Sequence, residues 1–417
     1  MLRSSVVLPQ KRCREFRNNK KGRLARGMRI LVVPTTDWLQ PAVPTRLHHI
    51  FEKINARNEV HVIRFDFGHG EPLETKIIIH EARNFGPRFF AEWTPTYYLA
   101  NYPSFSSKIN QLLRIYDFDV IVLSNFLPAY VAAKVSMKGP KKVFDLSDHF
   151  PLSAMEYLPK TSLIRKPANY VLEKLFRTTL ARVDTSIVSC YALQTYALQM
   201  GAKKVHVILN GVDDNFLRQN TNGEKIREKF NLGDSLVIGF VGAIRDYYDM
   251  DSLLAAIKKI SRKVSVKFLL LGRSIQDSSI QRFRRKIIEL GLREHIVWPN
   301  YLPQDKVPEY IDAMDVCTIP LDPSKSITRY LMPVKLWEYL AMGKPVISAS
   351  LPEIRRQCGQ FVNFAITEMD YYTFFMQYLR EPEPFIKNGK LAKAEARNHT
   401  WNVIASEYEK YLESSAH

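Results

Sequence analysis

The sequence predicts an α/β protein built from two doubly wound, Rossmann-like parallel-sheet domains that face each other across a cleft. Three observations carry this reading. Short apolar runs alternate with helical runs from Met28 onward, the pattern of a parallel sheet covered by helices on both faces. The alternation pauses in a polar stretch, "RQNTNGEKIREKFNLGDS" (218–235), and then restarts. At 417 residues the chain exceeds one ordinary core.

The elements follow in order. "MRILVVP" (28–34) is a buried strand, and "TTDWLQPAVPTRL" is the loop that leaves it. "LHHIFEKINARN" reads as a helix, which makes His48 and His49 helix residues rather than ligands, and "EVHVIRF" (59–65) is the next strand. "DVIVLSN" (119–125) is a strand ending in a polar loop, "AYVAAKVSM" a helix, and "KKVFDLSDHF" (141–150) a strand ending in acids. "DTSIVSC" (184–190), the helix "YALQTYALQMG" with its glycine stop, and "KVHVILNG" (204–211) close the first set. The second set opens on the strand "LVIGFVGAI" (236–244), the helix "DSLLAAIKKISRK" and the strand "VKFLLLG" (266–272). The helix "SIQRFRRKIIELGL", the short strand "HIVWPNYL", the helix "KVPEYIDAM" and the strand "DVCTIPL" (315–321) continue it. The tail "TWNVIASEYEKYLESS" (400–415) has Trp401, Ile404, Tyr408 and Leu412 at helical spacing, with Thr400 as an N-cap.

Composition narrows the class. The chain is 46% hydrophobic and 24% charged, as soluble globular proteins are. No apolar run reaches the ~18 residues that span a bilayer. Four scattered cysteines form no metal or disulfide framework and fit a reducing cytosol. Net charge is +18, of which residues 1–26 supply +8, from nine Lys/Arg and one Glu. That segment has no periodicity and no signal-peptide apolar core, and it reads as a disordered basic arm. The remaining excess of cations suits an anionic membrane surface, while the absence of zinc-finger spacing or an RNA-binding aromatic signature argues against nucleic acid. Residues 85–105 hold eight aromatics among 21 positions, with Arg83 and Arg88 close by. They are either core packing or an interfacial patch.

The stretch "MPVKLWEYLAMGKPVIS" (332–348) carries the chemistry. Pro333 suits the first turn of a helix, and Gly343 followed by Pro345 ends it. Lys335 and Glu338, three apart, share a face, while Leu336 and Leu340 point toward a core. A helix N-terminus with cations beside it holds phosphate. A carboxylate about 7–8 Å further along lies where a nucleotide's ribose hydroxyls would donate to it. A solvated Glu338–Lys335 pair explains the same residues, and the stretch alone leaves both readings open.

Four stretches, in order, resemble the GT-B glycosyltransferases of family 4 from about Met28 to the C-terminus. They are "VDTSIVSCYALQTYALQMGAKKVHVILNGVD" (183–213), "VIGFVGAI", "HIVWPNYLPQDKVPEYIDAMDVCTIPL" and "PVKLWEYLAMGKPVIS". The resemblance implies a retaining hexosyltransferase-type enzyme that moves a sugar from a nucleotide donor, UDP-linked by class default, to a glycan or lipid-linked acceptor in cell-surface polysaccharide synthesis. It implies that Glu338 holds the ribose and that Gly242, Val334 and Leu336 belong to the donor side. Tyr330 stands where the family signature has its first acid, a departure at the position that contacts the donor sugar. Ala243 and Tyr248 stand near the family's usual phosphate-binding cations, which leaves Arg245, Lys335 and Arg329 to face the leaving diphosphate. Asp148 or His149 would touch the donor sugar near the reacting carbon, and Asp37, Trp38 and Arg46 would line the acceptor side. No cofactor or metal is expected. The implied division is a basic arm (1–27), an acceptor-side domain (28–222), a nucleotide-binding domain (223–395) and a C-terminal helix (396–417) that packs back on the first domain. The implied setting is cytoplasmic, peripheral on the inner membrane face. Alternatives are a nucleotide- or glycan-binding GT-B protein without turnover, or another nucleotide-sugar enzyme such as an epimerase.

Overall fold

The computed structural model describes residues 27–416 apart from 35, 42–43, 65–71, 84–99, 125–128, 131, 134–138, 156–162, 219–220, 273–276 and 301. The basic arm and most of the aromatic stretch 85–105 lie outside the described residues. The first sheet has seven strands: β1 (Arg29–Val33), β2 (Glu59–Arg64), β3 (Ile78–Glu81), β4 (Val120–Ser124), β5 (Lys141–Leu146), β6 (Thr185–Val188) and β7 (Val205–Val207). Its helices are α1 (Arg46–Ile54), α2 (Tyr102–Ile115), α3 (Phe150–Met155), α4 (Arg165–Arg182) and α5 (Tyr191–Gln199). After α6 (Gly223–Lys229) the second sheet follows, with β8 (Leu236–Val241), β9 (Val266–Leu271), β10 (Ile296–Asn300), β11 (Val316–Ile319), β12 (Val346–Ser348) and β13 (Val362–Phe364). It carries α7 (Met250–Ile260), α8 (Asp277–Glu289), α9 (Val307–Asp312), α10 (Val334–Ala341), α11 (Pro352–Cys358), α12 (Glu368–Arg380) and α13 (Glu383–Ala396). The last helix is α14 (Trp401–Ala416).

Both sheets are parallel throughout, in the orders β3-β2-β1-β4-β5-β6-β7 and β10-β9-β8-β11-β12-β13. Strands covered on both faces are apolar at successive positions rather than alternately, and "RILVV" in β1 is an instance. Ile30 and Val32 face Leu47, Ile50 and Phe51 of α1, while Leu31 and Val33 face Phe105, Ile109 and Leu112 of α2. In β8, Leu236, Ile238 and Phe240 pack on Leu253, Leu254 and Ile257 of α7, and Val237 turns to the side of Leu336 and Leu340. The strand order reverses between β1 and β4, and again between β8 and β11. Ligands of open α/β sheets bind at such switch points, beyond the strands' carboxyl ends.

The helix α14 leaves the second sheet and returns to the first. Trp401, Ile404, Tyr408 and Leu412 join the core of β1, β2 and α1. Thr400 begins it, with its Oγ1 accepting from Val403 N at 3.4 Å.

Candidate active site

The carboxyl ends of β1, β4, β5 and β8 open on one cavity of about 580 Å³. Its first-domain wall includes Thr36, Arg46, Ser124, Asp148 and Asn210, and its second-domain wall includes Gly242, Tyr248, Tyr330, Val334, Lys335 and Glu338. A cleft this size, walled by two domains at their switch points, is the expected seat of a small-molecule substrate.

The helix α10 is fixed so that only one face reaches the cavity. Leu336, Trp337, Tyr339 and Leu340 are buried, and Trp337 stacks on His399 with ring centroids 3.8 Å apart. Val241 N donates to the Tyr339 hydroxyl at 2.8 Å, which ties the helix to the end of β8. The opposite face presents Val334, Lys335 and Glu338 to the cavity. Gly343 ends the helix at a φ of 70°.

Lys335 runs over the turn after β8. Its Nζ lies 4.1 Å from the Phe240 ring centroid and donates to the Tyr248 hydroxyl at 2.9 Å. Gly242 makes that path possible. Its φ is +128°, and a Cβ there would meet Lys335 Nζ at 2.5 Å. Burial lowers Lys335 to about 7, with Glu338 opposing the shift and Arg245 adding to it. Burial likewise raises Glu338 to about 7, opposed by Lys335 and reinforced by Asp213. Among the described residues, the Glu338 carboxyl has no hydrogen-bond partner and faces the cavity. The helix thus offers one cation and one acceptor side by side. That arrangement matches a diphosphate next to a pair of ribose hydroxyls.

Across the cavity, Asp148 is exposed to the open space, and the protein surrounding it raises its carboxyl from the usual carboxylate value, against the pull of Arg245. Beneath it lies a buried network. Arg46 donates to Asp145 (3.3 Å), to Asn210 Oδ1 (3.0 Å) and to the carbonyls of Ile208 (2.8 Å) and Leu209 (2.6 Å). The Tyr408 hydroxyl of α14 donates to Asp145 at 3.1 Å. Arg46 therefore has most of its donors engaged and serves to shape the wall.

The structure brings Asp148, Arg46, Gly242, Tyr330, Val334, Lys335 and Glu338 to one cavity. It places the other expected site residues elsewhere. Leu336 is fully buried in the core, and its amide donates to Pro333 O at 3.0 Å. Trp38 is fully buried, stacks on His48, and donates through Nε1 to Glu52. Asp37 is buried and holds Arg64 through two bonds of 2.7 and 3.0 Å. Arg329 is exposed on a short turn of helix, outside the cavity wall. His149 lies behind the wall, between Tyr196 and Tyr330 at centroid distances of 4.0 and 4.4 Å. Burial lowers it to about 4, so it is neutral at pH 7. Arg245 lines an adjoining recess with Asp246 and Ser279. Sequence reasoning had not singled out Thr36, Ser124, Ser147, Asn210 or Tyr247, which also line the cavity. Asn210 had a signal, since it stands in the "NGVD" that follows β7.

Among the described residues no group of His, Cys, Asp and Glu is arranged to hold a metal ion. None of their helices is long and apolar enough to cross a membrane.

Two facing parallel-sheet domains with a cavity between their switch points are the GT-B architecture. The family model described as Glycosyltransferase Family 4 matches residues 43–216, and that described as Glycosyl transferases group 1 matches residues 235–370. The chain belongs to glycosyltransferase family 4. It is 23% identical, over 66% of its length and 67% of the relative's, to a Bacillus subtilis glycosyltransferase named for teichuronic acid biosynthesis. It is 21% identical to a GDP-mannose-dependent phosphatidylinositol monomannoside mannosyltransferase of Mycolicibacterium smegmatis, over 54% of this chain and 56% of that protein. Among solved structures, Anabaena HepE in complex with UDP-glucose superposes with a TM-score of 0.70 at 17% identity, covering 93% of this chain and 100% of that one. Sucrose-phosphate synthase from Thermosynechococcus elongatus gives 0.73 at 15% identity, covering 93% and 98%. These likenesses establish the shared fold.

Proposed function

We propose that the protein transfers a hexose from a nucleotide-sugar donor to a glycan or lipid-linked acceptor, with retention of configuration at the anomeric carbon. The observation that carries this is the pairing of Lys335 and Glu338 on the cavity face of α10, with Gly242 clearing the path of the lysine. In this reading Glu338 accepts the ribose hydroxyls and Lys335 faces the diphosphate. Arg245 adds positive charge where the diphosphate leaves, since charge developing there needs cations aimed at it. Retention puts the acceptor hydroxyl on the face the diphosphate leaves. The sugar–phosphate bond breaks as the sugar–acceptor bond forms, and the acceptor's proton passes to the departing phosphate oxygen. Asp148 faces the sugar from the first domain. UDP is the first candidate donor nucleotide, given the UDP-sugar named in a similar structure. A cytoplasmic, membrane-peripheral site of action, and an acceptor in cell-surface polysaccharide synthesis, fit the basic charge and the relative named for teichuronic acid.

Calorimetric titration of UDP, GDP, ADP and their sugar conjugates tests the donor site. One nucleotide is expected to bind wild type, and Glu338→Ala is expected to weaken it by about 1.5–3 kcal/mol, the scale of a lost charged hydrogen bond. Unchanged affinity in a folded variant removes the ribose role. Tyr330 favours a second reading, a binding protein without turnover, because an aromatic ring packed on His149 stands where the family has an acid. Nucleotide-sugar binding with no release of nucleoside diphosphate in the presence of acceptors selects that reading.

A further inference from the structure

The helix α4 buries side chains fully only near its C-terminal end, while Leu172 and Leu175 pack part-buried on the same core. Phe176, Thr179 and Leu180 are buried, whereas no residue from 163 to 175 is. The other side of its N-terminal half carries large apolar side chains into water. Leu163 is 95% exposed, Ile164 59%, Tyr170 68% and Val171 52%. Residues 163, 167, 170, 171 and 174 follow helical spacing and share one face. Lys174 lies on this face and Lys166 and Arg177 beside it, all three exposed. The acid beside it, Glu173, accepts from Asn169 at 2.9 Å. An exposed apolar helix end with long cationic side chains beside it suits the headgroup layer of an anionic bilayer. The rings and aliphatic chains enter the acyl boundary, and the lysines and arginines reach the phosphates.

The patch is also tied to the active site. The helix α3 starts two residues after Asp148, and Arg165 Nη1 donates to Met155 O at its far end, 2.8 Å away. Six residues of helix span about 9 Å, so α3 bridges from the cavity wall to the start of α4. We propose that the N-terminal half of α4 docks the protein on an anionic membrane surface beside the cleft, and that the acceptor is therefore a lipid-anchored molecule presented from that bilayer. The acceptor clause rests on the glycosyl-transfer reading; the docking surface stands on its own observations.

The test is flotation of the full chain with vesicles of phosphatidylcholine alone and of phosphatidylcholine with phosphatidylglycerol. The variants are Leu163→Asp/Ile164→Asp, Lys166→Glu/Lys174→Glu, and a control, Lys387→Glu/Lys390→Glu, on exposed α13 positions. All retain the basic residues 1–26, so that contribution is common to them. Wild type and control are expected to float with the anionic vesicles only. Each α4 variant is expected to lose at least tenfold in vesicle affinity while binding nucleotide as wild type does. Wild type that ignores anionic vesicles, an aspartate variant that binds as well as wild type, or a control that loses as much as the α4 pairs overturns the docking surface. So does a wild-type dimer that the aspartate variant dissolves, because that assigns the patch to self-association. Vesicle binding by a wild type that takes no nucleotide leaves the surface standing and removes the transfer reading.

Discussion

Lys335 and Glu338 are displaced toward neutrality from opposite sides, and each is restrained by the other. This makes donor binding pH-dependent with a sign that can be worked out. A bound diphosphate favours the ammonium form, so binding raises the lysine's pKa, and affinity falls as pH rises above about 7. Ribose hydroxyls favour the carboxylate form, so binding lowers the glutamate's pKa, and affinity falls as pH drops below about 7. Titrating a nucleotide sugar, whose diphosphate carries no ionisation near neutrality, should give a bell centred near 7. Glu338→Gln should abolish the acid limb. It should also move the alkaline limb to lower pH, because the lysine loses the charge that sustains its proton. A flat profile for wild type contradicts the placement of both groups. This pair was legible in the sequence because a charged residue inside an apolar helix bounded by Pro333 and Gly343 stands out. The Arg46–Asp145–Tyr408 network was not. Its members are 99 and 263 positions apart, and no local pattern links them.

At the level of elements, α5 lacks a cap of its own, since the Cys190 side chain gives it none. The cap comes from the other domain. The Glu353 carboxylate on α11 accepts from Tyr191 N at 3.2 Å and from Ala192 N at 2.6 Å, and it is buried. Arg356, from the same helix, lies 3.5 Å over the Tyr191 ring. An acid at a helix N-terminus satisfies free N–H groups and meets the positive end of the dipole. Here it also joins the domains. Glu353→Ala should cost about 1–2 kcal/mol, read as roughly tenfold faster hydrogen exchange at the Tyr191 and Ala192 amides. Unchanged exchange there argues that the contact contributes nothing to closure. The strands around the cleft could be read from sequence because buried parallel strands are short, apolar and bounded by polar loops. The helices α2 and α4 and the strand β3 were passed over. The helix α4 buries only three residues in eighteen, so it lacks the apolar stripe by which helices are recognised. The strand β3 lies at the sheet edge with none of its four residues buried. The run α11–β13–α12–α13 follows α10 and β12 with no motif to mark it.

For the whole molecule, the two chain crossings between the domains are bonded to each other. Val212 N donates to His399 O at 2.8 Å, and Trp401 N donates to Val212 O at 3.0 Å. Any rotation of one domain on the other must therefore bend both crossings at one place. Gly211 lets them meet, because a Cβ there would come within 2.9 Å of the Trp401 ring and 3.0 Å of its amide nitrogen. Trp401 is itself buried in the first domain's core. Gly211→Ala should thus push the ring outward and lower stability by about 1–3 kcal/mol, the usual cost of overpacking, measured by urea denaturation. Its effect on function should be uneven. Gly242, Lys335 and Glu338 all lie in the second domain, so nucleotide affinity should hold within about threefold, a change of less than 1 kcal/mol. Asp148 faces them from the first domain, so the geometry between donor sugar and acceptor depends on the hinge. Turnover, read as release of nucleoside diphosphate, should fall by at least tenfold, since small misplacements of reacting groups are costly. Affinity falling in step with turnover would mean that the nucleotide is held across both domains, and the division of labour between the two cavity walls would have to be redrawn.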